Sequence, residues 1–177
     1  GTYDGIKCID TQNLKVTGNE KALIGLSINT IAQGPDNHIW VGTPEGIYVM
    51  DYKLNIIEKL TTHNGLPNNL ISSIITDKNK DLWVSTSQGI AKYNPHSKSF
   101  IPFFVSDGLY NNEFSRNAYC ISPDGKILFG GTNGIVFFNP NDIETLKFQS
   151  NIRITGFYLH DKAVNEMTQS GRYHVID

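Results

Sequence analysis

One nine-residue pattern occurs three times in this chain without a gap. Ile39-Trp40-Val41-Gly42-Thr43-Pro44-Glu45-Gly46-Ile47 matches Leu82-Trp83-Val84-Ser85-Thr86-Ser87-Gln88-Gly89-Ile90. Both match Ile127-Leu128-Phe129-Gly130-Gly131-Thr132-Asn133-Gly134-Ile135. The first residues fall in register with them, Gly1-Thr2-Tyr3-Asp4-Gly5-Ile6 repeating Gly42 to Ile47. The glycine before the isoleucine, at Gly5, Gly46, Gly89 and Gly134, recurs at intervals of 41, 43 and 45 residues. A unit of that length, made of short strands, buries its apolar faces only by stacking on its neighbours, and the period indicates propeller blades.

The strands can be read within one unit. Leu70 to Thr76 is rich in β-branched residues and ends at the polar turn Asp77-Lys78-Asn79-Lys80-Asp81. Leu82 to Thr86 is a second strand, Ile90 to Tyr93 a third and Ser99 to Phe104 a fourth, with breaks at Ser87-Gln88-Gly89 and Asn94-Pro95-His96-Ser97. β-branched and aromatic runs punctuated by Asn, Asp, Gly and Pro are hairpin chemistry. No ten-residue window carries a helical stripe, so the expected fold is all-β.

A Gly-Leu pair follows each fourth strand, at Gly25-Leu26, Gly65-Leu66 and Gly108-Leu109, and marks the crossing to the next blade. From that glycine to the aligned second-strand position the distance grows: 15 residues to Trp40, 18 to Trp83 and 20 to Leu128. We assign most of the extra length to the crossing loops, Pro67-Asn68-Asn69 and Tyr110-Asn111-Asn112-Glu113. Antiparallel order puts these loops on one face with the second turns, Pro44-Glu45, Ser87-Gln88 and Thr132-Asn133. Loops on a rigid scaffold carry recognition, so this is the expected ligand surface. Its candidate residues are Asn68, Asn69, Tyr110, Asn111, Asn112, Glu113 and Arg116. The Glu113–Arg116 pair, placed in the longest crossing loop, could grip a polar ligand or lock the last blade to its neighbours.

The repeat Gly65-Leu66-Pro67-Asn68-Asn69, an Ile-rich strand, Asp77-x-Asn79-x-Asp81-Leu82-Trp83-Val84 and Gly89-Ile90 resembles the two-component regulator propeller repeat. Gly108 to Phe114, Gly130-Gly131-Thr132-Asn133-Gly134 and Phe138-Asn139-Pro140 resemble the final blade that this family places before an Ig-like Y_Y_Y sandwich. Residues 151–177 resemble the start of that sandwich, with Ile152, Ile154 and Gly156 alternating with Arg153, Thr155 and Phe157 before a turn at His160-Asp161-Lys162. The expected architecture is a partial β-propeller of about three and a half four-stranded blades, followed by the first strands of an Ig-like domain. Its parts are a half blade of outer strands at 1–24, blades at 25–64 and 65–107, a final blade at 108–150 and the Ig-like start at 151–177. The resemblance implies the periplasmic sensor portion of an inner-membrane hybrid two-component protein, in a group that often recognises oligosaccharides. It implies no kinase chemistry in these residues, and membrane attachment only through the parent protein.

Composition narrows the remaining classes. A net charge of -2, 18% charged residues and no cluster of Lys and Arg give no support to nucleic-acid binding. No apolar run approaches the roughly 20 residues of a membrane helix, and the opening residues read as the middle of a folded unit, so an excised piece is expected. Cys8 and Cys120 lie in separate strand patterns and read as buried small hydrophobes rather than a disulfide. Trp40 and Trp83 recur at one strand position, with Leu128 in the third copy, which is how a packing residue behaves.

Asp77-x-Asn79-x-Asp81 opens like a calcium loop, but Leu82 and Gln88 stand where Gly and a bidentate Glu are needed, so a hairpin turn is expected. His38, His63, His96, His160 and His174 lack metal spacing and read as surface residues. Ser122-Pro123-Asp124-Gly125 is an ordinary turn. No nucleophile elbow and no recurrent carboxylate pair is present, and no cofactor or metal is expected. We therefore expect a sensor fragment rather than an enzyme. The alternatives are a propeller enzyme of the streptogramin-lyase kind, which would need a convergent His/Glu/metal cluster, and a passive docking scaffold. An open arc of blades leaves apolar faces bare, so self-association or cover by the remaining blades of the parent propeller is also expected.

Overall fold

In the computed structural model the described residues are 1–17, 21–35 and 37–143, with the backbone of 158–159 and 162–163. Two compact units divide the chain, Gly1–Ile143 and Glu144–Asp177. In the second unit, β14 (Tyr158–Leu159) pairs antiparallel with β15 (Lys162–Ala163). The remainder of the expected Ig-like start, and any fourth strand of the final blade within 144–150, lie outside the described residues.

The first unit is a series of antiparallel sheets. β1 (Cys8–Ile9) and β2 (Val16–Thr17) form a two-stranded ribbon. The next sheet runs in order β3 (Thr30–Gln33), β4 (Ile39–Thr43), β5 (Gly46–Met50), β6 (Ile56–Leu60). A second four-stranded meander follows: β7 (Ile71–Thr76), β8 (Leu82–Thr86), β9 (Gly89–Asn94), β10 (Ser99–Phe103). The third sheet shows three strands, β11 (Phe114–Ile121), β12 (Ile127–Gly131) and β13 (Gly134–Phe138). The helical elements among the described residues are short 3-10 turns at Thr62–Asn64, Val105–Asp107 and Pro140–Asp142. The all-β, partial-propeller reading is correct.

The repeated sequence positions do repeated work. The Thr43 hydroxyl donates to the carbonyl of Gly46 at 2.9 Å and accepts the Glu45 amide at 3.1 Å. Thr86 does the same with Gly89 and Gln88, and Thr2 with Gly5 and Asp4. The marker glycine is required because its φ is +122° at Gly46 and Gly89, and an added Cβ would lie 2.5 Å from the Leu60 carbonyl oxygen or 2.7 Å from that of Phe103.

Alternation along each strand sends one row of side chains to the preceding sheet and the other to the following one. Val41, Tyr48 and Met50 close on Ile6, Ala22 and Leu23, while Trp40, Ile47 and Val49 close on Ile71, Ile74 and Val84. Trp83 and Ile90 then pack on Ile127, Phe129 and Val136. Both tryptophans are core, 1% and 0% exposed, and Trp40 meets Tyr93 edge-on at 4.8 Å. The innermost strands are clasped at equivalent points. Asn29 Nδ2 donates to the Ile71 carbonyl at 2.7 Å, and Ser72 Oγ to the Phe114 carbonyl at 2.8 Å.

The third sheet has no described neighbour on its outer side. Leu128, in the tryptophan position, is only half-buried there. Ile135 and Phe137, aligned with the buried Ile47 and Val49, are 63% and 66% exposed. Cys120, expected inside, is exposed for the same reason: it occupies the position of Ile75 on that uncovered side. Cys8 is half-buried, and both thiols are free.

Candidate ligand-binding surface

The crossing loops lie beside the second turns, as antiparallel order requires. Gly89 N donates to the Asn112 carbonyl at 2.6 Å, and Thr132 N to the Glu113 carbonyl at 3.3 Å. The candidate residues sort by what their side chains hold. Asn69 Oδ1 accepts the Thr62 amide at 2.8 Å, and Asn112 Oδ1 accepts the Val105 amide at 2.9 Å, one unit apart and in the same role. Each satisfies an amide at the start of a 3-10 turn. Asn68 Oδ1 accepts the Leu70 amide and closes an Asx turn.

Asn111 is 7% exposed and bonds both ways to Glu113, through the Glu113 amide and the Glu113 carbonyl, each at 2.9 Å. It fills space that the repeat elsewhere gives to threonine. At the position of Thr43 and Thr86 the last unit has Gly131, where an added Cβ would lie 2.3 Å from Asn111 Nδ2. Over this wedge Tyr110 stands 80% exposed, and Glu113 is exposed with its carboxylate 3.5 Å from the Thr132 hydroxyl.

Arg116 is corrected in two respects. It lies in β11 rather than in the crossing loop, and no ion pair joins it to Glu113 among the described residues. Phe114 pairs with Gly131 and Tyr119 with Phe129, so four residues of β11 oppose the single Gly130. The innermost strand of this blade thus carries a bulge of three extra residues, with Ser115, Arg116 and Asn117 exposed and Asn117 at φ +54°. The corresponding bulge in β7 holds one extra residue, between Ile71 and Ser73. The lengthening between the second and third units is therefore in this bulge, not in the crossing loop.

A separate cleft of about 490 Å³ opens at the other end of the inner strands, lined by β3, β7, their first turns and Tyr119. Sequence reasoning did not find it, because the cleft forms only where equivalent positions of three units, such as Ile31, Ile74 and Tyr119, meet in space.

The Asp77 turn is closed internally. Asp77 Oδ1 accepts the amides of Asn79 and Asp81 at 2.8 and 2.9 Å, and Oδ2 accepts the Trp83 indole N–H at 3.0 Å. His63 and His96 are exposed and His38 is half-buried, while His160 and His174 lie outside the described residues. Among the described residues no three His, Cys, Asp or Glu side chains converge as metal ligands, and no helix is long and apolar enough to cross a membrane.

A family model described as two-component regulator propeller matches residues 22–45 and 65–88. Histidine kinase P4 of Formosa agariphila is 33% identical over 120 residues, which cover 67% of this chain and 9% of that protein. Among solved structures, the extracellular domain assigned to a hybrid two-component system of B. thetaiotaomicron is similar, with a TM-score of 0.62 and 22% identity over 81% of this chain and 21% of that one. Virginiamycin B lyase from Staphylococcus aureus is similar with a TM-score of 0.51 and 16% identity, over 77% of this chain and 49% of that one. At these identities the solved structures establish the propeller fold alone.

Proposed function

We propose, from the premise that this chain carries two-component regulator propeller repeats, that it is part of the extracytoplasmic ligand-sensing region of a hybrid two-component sensor. In this reading the region is the periplasmic portion of an inner-membrane protein, and it recognises a carbohydrate on its crossing-loop face. The signal passes to a kinase elsewhere in the parent protein. The observation that carries the reading is the Gly131–Asn111 exchange. It breaks the threonine rule of the repeat and seats Tyr110 and Glu113 on a buried, fully bonded support.

A tyrosine ring offers a flat apolar face to sugar C–H groups, and a neighbouring carboxylate accepts sugar hydroxyls, which is a small but complementary recognition pair. Asn111 positions both from beneath, while Asn68, Asn69 and Asn112 hold the loops. Arg116 approaches from the bulge of β11. The same reading gives Leu128, Ile135 and Phe137 a cover, another blade of the parent propeller or a second copy of this chain.

Calorimetric titration of the 177-residue chain with neutral trisaccharides tests the reading. Tyr110→Ala and Glu113→Gln are expected to weaken binding about tenfold each, the worth of one good contact, with thermal stability unchanged. Binding unaltered by both substitutions would remove the crossing-loop site, and binding of no saccharide would remove the carbohydrate reading.

A further inference from the structure

The cleft at the far end of the inner strands combines an apolar wall, side-chain amides and a cation. Ile31 and Tyr119, 39% and 36% exposed, give it an apolar wall with an aromatic ring. Gln33 Nε2 donates to Asn37 Oδ1 at 3.1 Å and to the Tyr52 hydroxyl at 3.2 Å, which leaves an acceptor on Gln33 and a donor on Asn37 outside the pair. Thr76 Oγ1 donates to the Gln33 carbonyl at 2.8 Å and ties β7 to β3 across the floor. Gln33, Asn37 and Thr76 therefore belong to one bonded framework.

Lys80 is the charged residue among those that line the cleft. The neighbouring charges are already engaged: Asp81 with Lys92 at 2.6 Å, Asp77 with its own turn and Trp83, and Lys78 with the Pro123 carbonyl at 2.6 Å. Lys80 itself makes no ion pair among the described residues. It also sits at φ +67°, at a turn position where the preceding unit has Asn37 at φ +63° and the following one Gly125 at φ +91°. Asn and Gly adopt this conformation at less cost than lysine, although Lys98 at φ +49° and Leu54 at φ +63° adopt it at other turns of this chain. Asn or Gly would serve the turn equally well, and what lysine adds there is a solvent-exposed cation, outside any ion pair among the described residues, at the rim of a cleft.

We infer that this cleft is a second binding site, which takes a sugar bearing a carboxylate. The pyranose lies against Tyr119 and Ile31, its hydroxyls meet the Gln33 and Asn37 amides, and its carboxylate meets Lys80. The sugar part of the inference rests on the carbohydrate reading above; the acidic group and the location do not.

The test uses the 177-residue chain with tri-galacturonate and, as the neutral counterpart, galactotriose, titrated by calorimetry at low and moderate salt. Lys80→Asn installs the residue that the preceding unit carries at this turn, so the fold is expected to be kept or slightly stabilised. Tri-galacturonate is expected to bind, to lose about tenfold in affinity in Lys80→Asn, to weaken as salt is raised, and to be unaffected by Tyr110→Ala. Tri-galacturonate binding that Lys80→Asn leaves unchanged would overturn the inference. Binding of galactotriose alone, abolished by Tyr110→Ala, would also overturn it while supporting the carbohydrate reading. Binding of neither sugar would overturn both.

Discussion

Removing the Asp77 carboxylate should unlock the core of the central blade. The side chain is 6% exposed and holds three donors: the amides of Asn79 and Asp81 and the indole N–H of Trp83, which is 0% exposed. In Asp77→Ala the two amides lie in a partly hydrated turn, where water replaces the acceptor at about 0.5 kcal/mol each. The indole N–H has no such recourse, because Trp83 is packed between Phe103 and Phe138 at ring distances of 5.9 and 4.9 Å. A buried donor left without a partner costs about 1–3 kcal/mol. The expected total is about 3 kcal/mol, a fall of roughly 6–12 °C in melting temperature for a domain of this size. Thermal unfolding followed by far-ultraviolet circular dichroism measures it. The double substitution Asp77→Ala/Trp83→Phe removes donor and acceptor together. A double-mutant cycle should therefore show favourable coupling of at least about 1 kcal/mol between the two positions. A fall of less than about 2 °C, or no coupling in the cycle, would refute the assignment of Trp83 as the main beneficiary of this carboxylate.

Three further outcomes are expected. Gly131→Thr restores the threonine of the other units, but its Cβ would fall 2.3 Å from Asn111 Nδ2 and 2.4 Å from the Glu113 carbonyl oxygen; it should displace Asn111 and weaken saccharide binding more than it lowers the melting temperature, and the reverse pattern would argue against a positioning role. Asp124 is held below the usual carboxylate range, first by the Ser122 hydroxyl and then by Lys126, and Asp51 by the side chain and backbone amide of Asn55. Because both are lowered on folding, their contribution is present above the unfolded value and is lost as pH falls through the lower folded one. NMR titration of the two carboxyl carbons should thus show midpoints below that of an unstructured aspartate, and ordinary midpoints would contradict these turns. Ile135→Asp with Phe137→Asp should reduce concentration-dependent association in sedimentation velocity, whereas identical sedimentation of wild type and variant would leave that apolar side without a role in assembly.

Much of the fold was legible because the blade is a repeated local code. The marker glycine turns the chain within its own unit, the tryptophans are core as their recurrence indicates, and for strands β7 to β10 the expected bounds differ from the observed ones by a residue at most. The environment of a repeated position is less legible, since it depends on the neighbouring blade. Cys120 and Leu128 look like core residues by alignment with Ile75 and Trp83, yet they stand on a side with no described neighbour.

The candidate site shows a different limit. Asparagines in lengthened loops suggest ligand contact by type and place, but Asn69 and Asn112 repeat one unit apart and hold equivalent amides. Recurrence at a fixed position argued for packing at Trp40 and Trp83, and the same test applies to these two. Positions that break the recurrence are the better guides. Gly131 departs from threonine to admit Asn111, Lys80 departs from Asn and Gly at a left-handed turn, and the β11 bulge departs from β7 by two further residues. A repeat architecture stabilises every unit by the same contacts, so a departure that costs local regularity needs a compensating gain. In this chain Gly131 and the bulge that carries Arg116 border the crossing-loop surface proposed for a ligand, and Lys80 borders the cleft at the other end of the inner strands.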